Sequence, residues 1–114
     1  MISQYTDAII PIAIHYNLKA VYLFGSYARN NAHNDSDIDI IVDTEGSTAT
    51  SLFKLGALYE DLHNALNKEI DLMTLKSLIE YENDPYSRII SSNIRKDMVP
   101  IYERERSTIT YAHQ

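Results

Sequence analysis

The chain has 114 residues, a formal net charge of −6 and no cysteine. That length builds one core rather than two, and the missing cysteine excludes both a disulfide scaffold and a thiolate metal site. The acidic balance, with ten basic residues scattered along the chain, excludes a broad basic face for a nucleic-acid backbone.

The first segment places Ile2, Tyr5, Ile9, Ile12 and Tyr16 at helical spacing. Pro11 falls inside it, so a kinked helix or two short ones are expected. This start has no basic n-region, and no apolar run is long enough to cross a bilayer. The expectation is a soluble, cytoplasmic protein with no membrane partner.

Ala20–Phe24 (AVYLF) reads as a strand that stops at Gly25. A helical turn over 26–31 and turn chemistry over 33–36 (HNDS) follow. Asp37–Asp43 (DIDIIVD) is the clearest strand. Its period of two puts Ile38, Ile40 and Val42 on one face, and Asp37, Asp39, Ile41 and Asp43 on the other. Residues 44–50 form a loop. Leu52, Leu55, Tyr59, Leu62 and Leu66 then mark a helix, with Ser47 or Thr48 as its expected N-cap.

Glu69–Leu75 (EIDLMTL) predicts a third strand, with Asp71 alternating against Ile70 and Leu72. Asp84-Pro85 is expected to open a helix running to about Lys96, and Met98–Tyr102 a closing edge strand in which Pro100 is tolerable. The order predicts a single α/β (α+β) domain over residues 1–102, a small mixed sheet flanked by helices, with a polar tail over 103–114.

Residues i and i+2 of a strand point the same way, roughly 7 Å apart. Asp37 and Asp39 therefore present two carboxylates on one face. Ionised carboxylates that close repel each other unless a cation intervenes. If the third strand pairs beside them, Asp71 joins the group. Oxygen-only donors favour a hard cation, with Mg²⁺ the default. Two such ions could serve an in-line displacement at phosphorus. Gly25 would let the backbone approach a bulky ligand. Ser26 would offer a hydroxyl and an N–H, and a helix beginning after it would favour a phosphate. Arg29 could reach a phosphate oxygen or brace the acids. Taken singly, each feature has an ordinary reading: a solvated strand face, a common turn, a surface acid.

Their conjunction carries more. Gly25-Ser26, ten intervening residues, then Asp37-Ile38-Asp39, with the words LFGSYAR and SDIDIIVD and a closing Ile101-Tyr102, resembles the minimal nucleotidyltransferases of the DNA polymerase β superfamily. One departure is Asn30, where that family often has glycine after the loop arginine. The resemblance implies a polymerase β-like fold and transfer of AMP from ATP to an acceptor hydroxyl. It implies that Asp37, Asp39 and Asp71 act as metal ligands and catalytic acids, and that Gly25, Ser26 and Arg29 contact the nucleotide. Small members of this type resemble the antitoxins of HEPN–MNT toxin–antitoxin pairs. Such an antitoxin modifies a tyrosine of a HEPN toxin encoded by a neighbouring gene, with no direct nucleic-acid binding. Two other readings stand beside this one: a binding module that neutralises its partner by contact alone, and a small-molecule nucleotidyltransferase of the aminoglycoside type.

Other residues read as ordinary. Tyr5, Tyr16 and Tyr59 fall on apolar helix faces as core. Tyr22 and Tyr27 lie near the site and could stack on a base, though packing is the simpler role. His33 reads as an exposed loop residue. His15, His63 and His113 have no ligand spacing. Arg106 and His113 match a nuclease spacing by chance, in a polar tail with no helix to present them.

Overall fold

The computed structural model describes residues 2–25, 37–86 and 88–104. The elements, in chain order, are α1 (Ile2–His15), β1 (Ala20–Phe24), β2 (Ile38–Asp43), α2 (Leu52–Leu66), β3 (Ile70–Thr74), α3 (Leu75–Glu82), α4 (Arg88–Asp97) and β4 (Val99–Glu103). The predicted turn over 26–31 and the HNDS segment lie outside the described residues.

The four strands form one mixed sheet in the order β3-β2-β1-β4. β1 is antiparallel to both β2 and β4, and β2 is parallel to β3. A parallel pair needs a crossover, and α2 supplies it. Alternation along the strands sorts the two faces. Val21, Leu23, Ile38, Ile40, Val42 and Ile70 join Ile9, Ala13 and Tyr16 of the N-terminal segment and Leu58, Leu62 and Leu66 of α2 in the main core. Each fully buried aliphatic there contributes about 1.5–3 kcal/mol. Ile41 and Leu78 are also fully buried but stand outside that cluster. The period of two puts Ile41 on the opposite face, which α3 partly covers. A bidentate pair, Arg95 Nε to Glu82 Oε2 at 2.7 Å and Nη2 to Oε1 at 2.9 Å, fastens α4 to α3.

Four expectations need correction. α1 is a single helix with Pro11 inside it. Proline removes the bond to the carbonyl of Asp7, but both residues are exposed, so water can satisfy that carbonyl. The N-cap of α2 is Ser51, whose hydroxyl accepts from the Lys54 N–H at 3.1 Å. Ser47 instead accepts from the Ala49 N–H within the loop, and Thr48 donates to the Tyr16 carbonyl just after α1, so both hydroxyls are already engaged. The buried stripe of α2 is Leu58, Leu62 and Leu66, with Leu55 and Tyr59 half-buried and Leu52 88% exposed. Finally, the helical stretch between β3 and β4 is two helices rather than one: α3 precedes the expected start, and Asp84-Pro85 belongs to the turn before α4 rather than to its first turn.

The end of β4 is tied down. The Arg104 N–H donates to the Lys19 carbonyl at 2.8 Å, and its guanidinium donates to the carbonyls of Asn17 and Glu45. Tyr16, expected in the core, is 6% exposed, and its hydroxyl donates to Asp61 at 2.6 Å. Burial and that carboxylate push its pKa up to about 12. Tyr5 and Tyr59 are half-buried against the same core.

Candidate active site

The site forms where β1 ends and β2 and β3 begin. Phe24, the last residue of β1, is the register partner of Asp39. Asp39 is in turn the register partner of Asp71 across the parallel β2–β3 pair. Register partners share a face, and neighbouring strands lie about 4.8 Å apart. The condition set by the sequence, that the Asp71 strand pair beside the Asp37–Asp39 strand, is therefore met. Asp39 is half-buried, and Asp71 is exposed near the sheet edge. Asp37 is exposed and immediately precedes β2, whose first N–H, that of Ile38, donates to the Glu69 carbonyl at 3.1 Å.

Gly25 has φ +75°, a backbone conformation that glycine adopts without steric cost. A Cβ built there would collide with Oδ2 of Asp39 and stand 3.2 Å from its Cγ. The sequence suggests that Gly25 makes room for a ligand. The structure adds a second role, because the missing side chain also makes room for the Asp39 carboxylate. Ser26 and Arg29, the other two residues expected at the nucleotide, lie outside the described residues. So do Tyr27, Asn30, His33, Arg106 and His113.

Tyr22 sits on the acid-bearing face, opposite Ile41. It is half-buried, and its pKa is raised by burial first and by Glu103 and Asp43 next, which fits a packing role. Phe24 and Met73 share that face beside the acids; the alternation in EIDLMTL puts Met73 with Asp71, whereas Phe24 was not singled out from sequence. The period of two in AVYLF was the signal that could have found it. His63 meets Glu69 at 3.4 Å and stacks on Tyr59.

The donors fit a hard cation such as Mg²⁺. Among the described residues no three acidic or imidazole side chains gather into a ready-made cage. Mg²⁺ seldom uses one: it keeps several waters and takes one or two carboxylates together with substrate phosphates. Asp39 and Asp71 on one face, with Asp37 just before, are a donor set of that kind.

Paired strand carboxylates beside a glycine turn, on a four-stranded mixed sheet backed by two helices, suit a nucleotidyltransferase. Residues 7–107 match the family described as Polymerase beta, Nucleotidyltransferase, and the chain belongs to that family. It is 40% identical over 77 residues to MJ0435 of Methanocaldococcus jannaschii, provisionally assigned as a protein adenylyltransferase; the match covers 68% of this chain and 81% of that one. It is 40% identical over 63 residues to the protein adenylyltransferase MntA of Thermococcus cleftensis, covering 55% of this chain and 62% of that one. The fold resembles that of a chain in the complex of tri-AMPylated Shewanella oneidensis HEPN toxin with MNT antitoxin. That likeness has a TM-score of 0.60 and 21% identity, and covers 95% of this chain and 77% of that one.

Proposed function

We propose that this nucleotidyltransferase transfers AMP from ATP to a tyrosine hydroxyl of a HEPN-type toxin encoded by a neighbouring gene, and acts in the cytoplasm as that toxin's antitoxin. The observation that carries the chemistry is the register pairing of Asp39 with Asp71 beside Gly25. The relatives named protein adenylyltransferase support the protein acceptor. The likeness to the MNT antitoxin supports a fold suited to such a partner.

In this reading Asp37 and Asp39 hold Mg²⁺, two ions in all, with Asp71 completing the donor set. When bound, the metal neutralises the triphosphate and the charge that develops on the leaving group. Asp71 orients the acceptor hydroxyl and helps remove its proton. The phenolic oxygen bonds to the α-phosphorus, the bond from that phosphorus to the bridging oxygen breaks, and pyrophosphate leaves. Gly25, Ser26 and Arg29 hold the phosphates. Asp39 is fixed by strand pairing and by the close fit of Gly25, so the rate gain comes from positioning and charge placement rather than from a covalent enzyme intermediate.

The test is label transfer. ATP labelled at the α-phosphate is incubated with this protein and the neighbouring gene's product, with Mg²⁺ or with a chelator. Label fixed on the toxin only when Mg²⁺ is present is the expected result. Label that stays with free nucleotide in both samples contradicts the proposal.

A further inference from the structure

We infer that Tyr86 is itself an acceptor for AMP, modified by the active site of a second copy of this chain. The inference rests on the reading above, in which a tyrosine hydroxyl receives the nucleotide. Tyr86 is 95% exposed. Among the other described tyrosines, Tyr16 is buried with its hydroxyl on Asp61, Tyr59 stacks on His63, and Tyr5, Tyr22 and Tyr102 are half-buried. Tyr81, on α3, is 47% exposed. An aromatic side chain left almost wholly in water adds nothing to this fold's core, so packing does not explain its presence.

Its setting suits an acceptor. An adenylyltransferase that accepts a protein substrate must admit a projecting tyrosine with its backbone close behind. Tyr86 stands on a turn whose shape is fixed from within. The ring of Pro85, the residue just before Tyr86, locks that proline's own φ, and the Tyr86 N–H donates to Asp84 Oδ1 at 3.2 Å. The turn is anchored on its α3 side by the Asn83 N–H, which donates to the Glu80 carbonyl at 3.2 Å, and by the Asp84 N–H, which donates to the Tyr81 carbonyl at 3.1 Å. The Glu82–Arg95 pair then holds α3 against α4. A side chain presented from a short, anchored turn loses little conformational entropy on entering another molecule's site.

The step balances with what the established family chemistry supplies. The Tyr86 Oη–H bond breaks, with its proton going to a carboxylate of the second copy or to solvent. An Oη–P bond forms at the α-phosphorus of ATP, the bond to the bridging oxygen breaks, and pyrophosphate departs. No oxidant or further reactant is needed.

The experiment uses wild-type chain as enzyme and a longer-tagged Asp37→Asn, Asp39→Asn chain as acceptor, so that the two differ in mass. Both are incubated with ATP and Mg²⁺, followed by intact-mass and peptide-mapping spectrometry. The same enzyme preparation is run in parallel on the neighbouring toxin. The expected result is AMP on the tagged chain at Tyr86. The adduct is lost when that chain also carries Tyr86→Phe and kept when it carries Tyr81→Phe. An unmodified tagged chain beside a modified toxin overturns the inference and leaves the proposed function intact. AMP on a different residue overturns the assignment to Tyr86. Transfer to neither protein overturns both readings.

Discussion

Gly25 and Asp39 lie so close that the glycine has no room for a side chain: a Cβ at 25 would run into the Asp39 carboxylate. The turn that ends β1 therefore sets the position of an acid on β2. The glycine of the Gly-Ser pair and the second aspartate of the Asp-x-Asp pair form one structural unit, although the chain between them is long.

Gly25→Ala should cost activity more than stability. The left-handed φ of +75° is strained for alanine by about 1–3 kcal/mol. The methyl group also forces Asp39 aside, and a displacement of about 1 Å in such a site can cost on the order of 100-fold in rate. Urea unfolding and AMP transfer, measured on one preparation, separate the two effects. Transfer at the wild-type rate would contradict the positioning role.

Asp71→Asn should remove transfer while leaving the fold intact. Asp71 is exposed, and its strand is held by its backbone and by Ile70 beneath. Surface substitutions of this kind change stability by about 0.5 kcal/mol or less. An unchanged urea midpoint with no AMP transferred is the expected pair of results. A variant that transfers normally would remove Asp71 from the site.

Tyr16→Phe tests the pin between the N-terminal segment and α2. It removes the hydroxyl that donates to Asp61, at a cost of about 1 kcal/mol. It should also change the alkaline response. The Tyr16 pKa is raised in the folded state from 10.0 to about 12. Its contribution is therefore whole below pH 10 and is lost as pH rises toward 12. Circular dichroism melts across that window should fall more steeply for wild type than for Tyr16→Phe.

The Glu82–Arg95 pair gives an acid-side counterpart. Hydrogen bonding to Arg95 lowers the Glu82 pKa below its ordinary 4.5. The contribution is present above that ordinary value and fades as pH falls through the depressed one. Glu82→Gln should loosen α3 and α4 with little change in global stability, since exposed ion pairs contribute little. Amide exchange in α3 and α4 is the readout. Unchanged protection there would show that the helices are held by packing alone.

Much of this architecture is legible because strands declare themselves by alternation. Ala20–Phe24 and the acid-bearing strand follow from a period of two that the sheet obeys. The loop before α2 is harder. Thr44, Ser47, Thr48, Thr50 and Ser51 are all capping types, and Ser51 is the one that caps, while the Ser47 and Thr48 hydroxyls bond elsewhere, which sequence does not announce. Helix α3 escapes a sequence reading because its short run, LKSLIEYE, continues straight from β3 with one fully buried residue, Leu78. The acids are legible as candidates, but the pairing of Asp39 with Asp71 depends on strand order and register. The contact with Gly25 depends on both, and nothing local in the sequence shows it.

The most direct measurement of the central claim is intact-mass spectrometry of the neighbouring gene's product after incubation with this protein, ATP and Mg²⁺. A parallel sample carries Asp37→Asn together with Asp39→Asn. The account predicts a mass gain of one AMP or more with wild type and none with the double variant. An unmodified partner in the wild-type sample, or equal modification in both, would contradict it.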